Sequence, residues 1–320
     1  MSEWFVESGS YLLSLGLLLL LGIRLLLMGV RPESVQPRND DEGNDTPPRK
    51  PAMWLRLLVM LVGVAFCVPA FYTAVIIRGY YREAASAAEL RDMNAAVRTT
   101  SVAPAWLYPR LTETAARTFQ RVDRVVLNFP VDDEDLALLP AFPRLNAVFV
   151  RSENVTDAGL MSLRQCTSVR GLDLARTRVT DAGMSHLLNL RELQWLMLDQ
   201  TQVTDAGLEP LSQLSNLSVL SLRGTAVTND GLAELRSHPQ LESLSLSDTA
   251  CTAAGISMLN RRYWLRGLYL KGTSTHDEDL RALVPCARLR WLQLSDTQVT
   301  DAAVETLIEL PGLDRLWVDG

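Results

Sequence analysis

The chain has 320 residues, 48% of them apolar and 21% charged, with a formal net charge of −6. That length holds one large domain or two ordinary ones. The acidic balance, with no basic stripe, glycine-rich phosphate loop or stacked-aromatic platform, argues against a nucleic-acid partner.

The first 80 residues read as a membrane anchor. Tyr11–Val30 carries a single charge, Arg24, and the uncharged part of Met53–Ile77 runs from Leu57 to the end of the segment. Each run is long enough to cross a hydrocarbon core of about 30 Å as a helix, so transmembrane helices are predicted over 11–30 and 55–77, the second kinked at Pro69. Glu3 and Glu7 stand where a secretory signal would be basic, and no small-residue cleavage site follows. Phe66 before Cys67 disfavours a lipidation box, so both runs read as retained spans. The loop 31–52 is polar and rich in proline and acid, a composition that predicts disorder. It carries Arg31, Arg38, Arg49 and Lys50, with Arg56 at the start of the second span, against Arg78, Arg82 and Arg91 beyond it. The positive-inside rule then puts the loop in the cytoplasm and everything after the second span on the extracytoplasmic side of a plasma or inner membrane.

Residues 81–110 are predicted to be a helical stalk and linker, with alanine-rich Arg82–Arg98 continuing the second helix. Leu111–Val122 has a helical apolar pattern and is expected to cap the domain that follows, 111–320.

That domain is repetitive. VTDAG starts at residues 155, 179 and 203, VTNDG at 227, CTAAG at 251 and VTDAA at 299; the skipped position, 275, holds the degenerate THDED. Counting back to Val131 gives about eight 24-residue units. Upstream of each, pairs such as Leu172–Leu174, Leu196–Leu198 and Leu220–Leu222 alternate at strand period, with a threonine three residues later. The threonine is expected to turn the chain and bond open backbone groups through its hydroxyl. Val155 and its copies should be buried. Thr156 and its copies should cap a helix whose first turn holds an aspartate. Leu160, Leu163 and Cys166 should face inward, so that neighbouring units stack into one core. The three cysteines of this part, Cys166, Cys251 and Cys286, follow no zinc spacing and read as small buried hydrophobes.

The consensus LxxLxLxxTxVTDAGLxxLxxLxx resembles the leucine-rich repeats, in particular the short T-x-V-T-D-x-G-L type abundant in bacterial, notably planctomycete-like, proteins and related to the repeats of F-box proteins. The resemblance covers about Arg121 to Gly320 and implies an α/β fold: a right-handed, curved, parallel-stranded leucine-rich-repeat solenoid with helices on the convex side, here preceded by two transmembrane helices. No F-box precedes the repeats, so a role in ubiquitin ligation is not implied.

In such a fold the strand residues that do not face the core line the concave surface. Two aromatic clusters fall there by register, Trp195 with Met197, and Tyr269 with Trp291 and Trp317. They are the candidate partner-binding residues, with Arg223 and Lys271 as cations for an acidic partner; packing among themselves, or salt bridges to nearby aspartates, is the competing account. His186, His238 and His276 fall in different units with no nucleophile or carboxylate in register, so neither catalysis nor a cofactor is expected. The aspartates are assigned to helix starts rather than to calcium. The expected function is membrane-anchored binding of a protein or surface polymer. The alternative is self-association through LDRLWVDG, a last strand that no capping segment follows.

Overall fold

The computed structural model describes residues 75, 78–103, 116–117, 119–127, 130–259 and 264–319. The two expected spans, apart from Val75, and the loop between them lie outside this set. No helix among the described residues is long and apolar enough to cross a membrane.

Residues from Tyr81 onward form one compact unit. Among the described residues its sheet has ten strands in chain order: β1 (Ala96–Ser101), β2 (Gln120–Leu127), β3 (Ala147–Val150), β4 (Gly171–Asp173), β5 (Trp195–Met197), β6 (Val219–Ser221), β7 (Ser243–Ser245), β8 (Gly267–Tyr269), β9 (Trp291–Gln293) and β10 (Arg315–Trp317). β1 runs antiparallel to β2 and every other pair is parallel. From β3 onward each residue lies beside the one 24 positions later, so the sequence period is the sheet register. Val148, Leu172, Leu196, Leu220, Leu244, Leu268 and Leu292 stack down the centre, all essentially fully buried. The fold is a leucine-rich-repeat solenoid.

The ladder extends past each short strand. Leu174 N–H donates to the Met197 carbonyl at 2.9 Å and Arg176 N–H to that of Asp199 at 2.7 Å, and the later units repeat both bonds. The second donor sits in the left-handed region, at Arg176, Gln200, Gly224, Asp248, Gly272 and Asp296, with φ between 55° and 69°. Only two of the six are glycine. The next residue is the repeat threonine: the hydroxyls of Thr177, Thr201, Thr225, Thr249, Thr273 and Thr297 each donate to the leucine carbonyl three residues back, at 2.6–2.7 Å. The turn thus satisfies its own backbone, as the composition anticipates.

On the other side of each turn Val155, Val179, Val203, Val227 and Cys251 are fully buried. Thr156, Thr180, Thr204 and Thr300 cap helix starts, each hydroxyl accepting from the N–H two residues on. The helices are short and mixed, α at Asp157–Leu163 and Asp181–Met184 but 3-10 at Gly231–Ser237, Ala253–Met258 and Asp277–Leu283. A 24-residue unit leaves too few residues for longer ones.

The aspartates do more than the helix dipole requires. Asp157 accepts from Thr180 of the next unit twice, from the N–H at 2.8 Å and from the hydroxyl at 2.6 Å. Asp133, Asp181, Asp205 and Asp277 bind Thr156, Thr204, Thr228 and Thr300 in the same way. Each threonine therefore caps its own helix and clamps the preceding unit. The donors also hold the Asp277 carboxyl below the usual carboxylate range. Glycine follows from the clamp: a Cβ on Gly183 would lie 2.2 Å from Asp157 Oδ1, and Gly159, Gly207 and Gly231 meet the same obstacle. The ladder has one weak stretch. Asn229 replaces a carboxylate, accepting from Thr252 N–H at 2.9 Å and donating to its hydroxyl at 3.2 Å, and Ala253 has no side-chain acceptor, its N–H donating instead to the Thr275 hydroxyl at 3.2 Å.

The N-terminal end departs from expectation. The helix within Arg82–Arg98 stops at residue 92, and Ala96–Ser101 is strand β1. Gln120–Val122 of the expected helical cap belong to β2; residues 104–115 lie outside the description. Ala87 and Leu90, on the segment read as a stalk, are buried in the same core as the repeats. Glu83 accepts from Val122 N–H at 3.3 Å and pairs with Arg121 at 3.3 Å, both side chains nearly buried. Burial pushes the Glu83 carboxyl above its usual range. The physical reason is amphipathicity: one face of this alanine-rich helix packs on the core beside β2, which a free stalk would not need.

Candidate functional site

The concave rows follow the sequence register. One runs Ala147, Gly171, Trp195, Val219, Ser243, Gly267, Trp291, Arg315 and the next Phe149, Asp173, Met197, Ser221, Ser245, Tyr269, Gln293, Trp317. The surface is a sheet of small and polar residues with two aromatic groups.

The first group differs in composition from the expected Trp195–Met197 pair. Trp195 packs its indole on Gly171 of the preceding strand, so closely that a Cβ there would fall 1.9 Å from the ring. It reaches the ring of Phe149, two strands away, at 5.2 Å between centroids and a 45° tilt. Arg124 of β2 stacks on Phe149 at 5.5 Å. Met197 is half-buried beside this stack. Sequence reasoning missed Phe149 and Arg124, although Phe149 lies in register with Met197; the glycine one unit before Trp195 was the available signal, since it leaves space for an indole.

The second group repeats the device. Gly267 precedes Trp291 by one unit, and a Cβ on it would lie 3.4 Å from both Trp291 and Tyr269. Trp291 is 38% exposed, while Tyr269 and Trp317 are half-buried. The structure therefore brings Tyr269 and Trp291 together and places Trp317 on β10 in the adjoining row.

The concave cations are paired. Arg223 Nε lies 2.8 Å from Asp248 Oδ2 and Lys271 Nζ 3.3 Å from Asp296 Oδ2. Arg151 binds the buried Asp173 through Nε and Nη2 at 2.9 and 2.6 Å. The hydroxyl of Ser221 donates to Asp199, which also accepts from Arg223 N–H at 3.2 Å. Pairs as exposed as those of Arg223 and Lys271 are worth at most about 1 kcal/mol each, and such weak pairs leave both cations able to exchange partners.

Among the described residues no group of three His, Cys, Asp or Glu side chains has metal-ligand geometry. Cys166 and Cys251 are buried, and desolvation pushes each thiol up to about 11. His276 caps the helix at Asp277–Leu283, where Asp279 accepts from its N–H at 2.8 Å. His238 is 3% exposed, with Nε2 2.9 Å from the Leu211 carbonyl and Nδ1 3.2 Å from that of Leu235. It ties two units together. Desolvation holds its imidazole below the usual 6.5, against the two carbonyls. The unfolded chain then takes up the proton first, so this histidine's contribution is complete above about pH 6.5 and is lost as pH falls below it. In urea titrations of the full chain in mild detergent, His238→Gln is expected to flatten the loss of stability between neutral pH and about pH 5. A slope identical to wild type would show that His238 does not titrate on unfolding.

A shallow polar hollow lined by Glu153, Arg176, Thr177, Arg178, Gln200 and Gln202 shares no residue with the aromatic groups.

No family model matches the chain, and no curated protein matches it. Among solved structures, internalin C2 from Listeria monocytogenes is similar over 65% of this chain and 84% of its own, with a TM-score of 0.50 and 24% sequence identity. Another internalin of the same organism is similar over 65% of this chain and 72% of its own, with a TM-score of 0.42 and 18% identity. The first likeness agrees with the leucine-rich-repeat fold and bears on the fold alone.

Proposed function

We propose that the chain is a recognition module, tethered to a membrane by its two N-terminal apolar runs, which holds a protein or surface polymer against the concave sheet. The observation that carries this reading is Trp291, a large aromatic 38% exposed on a concave strand. It leans over Gly267 beside Tyr269. Aromatics presented this way, on rigid strands, are what binding hot spots use. The repeat's aspartates and threonines are engaged in joining units to one another, which supports binding rather than catalysis. Trp195 and Met197 form a second anchor, stiffened by Phe149, and Arg223 and Lys271 lie in the flanking row. The bias of basic residues toward the inter-span loop supports an extracytoplasmic position for the repeats.

A benzophenone side chain in place of Trp291, in the full chain in intact cells, is expected to form a discrete photo-adduct. The same group in place of Met161, exposed on a convex helix, is expected to form none. Protease added outside those cells should remove the repeats. Equal labelling from both positions would overturn the concave site, and full protection from protease would overturn the orientation.

A further inference from the structure

Among the described residues the sheet ends at β10, with no strand on its far side. In β10 the N–H of Arg315 and the carbonyls of Trp317 and Asp319 bond to the β9 side, to Arg290, Leu294 and Asp296 at 2.7–2.9 Å. Backbone direction alternates along a strand, so the N–H and C=O of Leu316 and Val318 point the other way. Among the described residues nothing pairs with them. Both side chains are exposed, at 37% and 53%, as are Val304 and Ile308 of the last helix at 51% and 76%; their counterparts one unit back, Leu292 and Leu294, are buried.

Charge supplies the occupant. Elsewhere on the concave face a cation meets an acid from a neighbouring strand, as in Arg151–Asp173, Arg223–Asp248 and Lys271–Asp296. Arg315 and Asp319, both exposed, have no such partner among the described residues. The segment Arg315-Leu316-Trp317-Val318-Asp319 is complementary to itself when reversed. Set antiparallel to a second copy about a twofold axis at Trp317, it places Arg315 opposite Asp319 twice, Leu316 opposite Val318 twice, and Trp317 opposite Trp317. The backbone agrees with this register: Leu316 and Val318, which carry the outward groups, become the hydrogen-bonded pairs, and Trp317 becomes the close non-bonded pair. Opposite charges and aromatics face to face are the pairs that stabilise antiparallel strands. Leu316 and Val318 of both copies would then join the apolar end faces into one buried layer. At the other end β1 shows a polar, largely exposed edge, AVRTTS, which does not invite the same pairing.

We infer that this chain forms a closed twofold dimer through antiparallel pairing of β10 with β10 of a second copy, in the register centred on Trp317. An isologous contact of this kind closes on itself and stops at two.

Register-specific cross-linking of the full chain in cells tests it. Cysteine in place of Trp317 would face its copy at about 4.5 Å between Cα atoms, within disulfide reach. Cysteine in place of Asp319 would lie about 13 Å from its copy. Mild oxidation is expected to give a reducible covalent dimer linked at 317, identified on the disulfide peptide, and none at 319. In the Trp317→Cys background, Arg315→Asp or Asp319→Arg alone should cut the linked fraction on the order of tenfold, because each opposes two like-charge pairs. The double reversal should restore it, which also shows that the variants fold. A chain that stays reduced at 317, links equally at 319, or is not rescued by the double reversal overturns the proposal. A dimer held through another part of the chain would leave 317 reduced and count against it.

Discussion

Asp181→Ala is expected to lower the stability of the repeat domain by about 2–3 kcal/mol, the scale of two hydrogen bonds to a charged acceptor lost together. Thr204 N–H and hydroxyl, at 2.7 and 2.6 Å from the carboxylate, both lose their acceptor. Asp301→Ala is the comparison. Asp301 also occupies the first turn of its helix, but among the described residues it clamps no threonine. If the aspartates served only the helix dipole, the two substitutions would cost alike, a few tenths to about 1 kcal/mol. The clamp predicts a wide gap in urea midpoints. Gly183 extends the test. Alanine for glycine inside a helix ordinarily gains about 1 kcal/mol, yet here the new Cβ meets Asp157. Gly183→Ala should therefore destabilise the wild type and stabilise the Asp157→Ala variant. Ala303 occupies the equivalent place beside Asp277, whose clamp on Thr300 is kept at 2.7 and 2.6 Å, so the last unit fits a Cβ that the geometry at Gly183 does not. Equal effects of Gly183→Ala in both backgrounds would separate the glycine from the carboxylate.

Gly171→Ala is the second substitution with a large expected effect. The added Cβ would fall inside the Trp195 indole, and backbone on a paired strand has little freedom to retreat. The indole must leave its place on Phe149, at a cost of about 1–3 kcal/mol. Loss of that contact exposes an aromatic face and shifts the tryptophan emission to the red. With Trp195→Leu in the background the clash disappears, and Gly171→Ala should become nearly neutral. A destabilisation that persists there would place the strain in the strand, not in the ring.

How far these features were legible differs by interaction range. The strand register, the buried leucines, the capping threonines and the threonine turn follow from period and local chemistry, so the 24-residue repeat shows them directly. The left-handed residue before each threonine is hidden, because Gly224 and Gly272 mark it but Arg176, Gln200, Asp248 and Asp296 do not. The clamp is hidden for another reason: Asp157 and Thr180 lie 23 residues apart, and each has a sufficient local explanation as a helix start. The glycine of VTDAG was the sign that something occupies the space above it. The strand pairing carries Trp195 and Trp291 in one row, as the repeat period alone implies. Only the three-dimensional packing showed that one lies against Phe149 while the other stays open. The alanine-rich segment was read as a stalk because such a helix reads the same whether one of its faces is covered or not.

The clamp also makes chain length an adjustable quantity. Each rung joins an aspartate to a threonine 23 positions on, and in VTDAG the threonine directly precedes the next aspartate. Excising residues 181–204 joins Thr180 to Asp205. Asp157 keeps Thr180 and Asp205 keeps Thr228, so no donor or acceptor is orphaned and the hydrophobic stack closes over the gap. Removing 23 or 25 residues would offset every strand beyond the junction. Duplication or loss of whole units can therefore lengthen or shorten this protein in single steps without disturbing either end, which lets the span of its concave surface evolve separately from its stability.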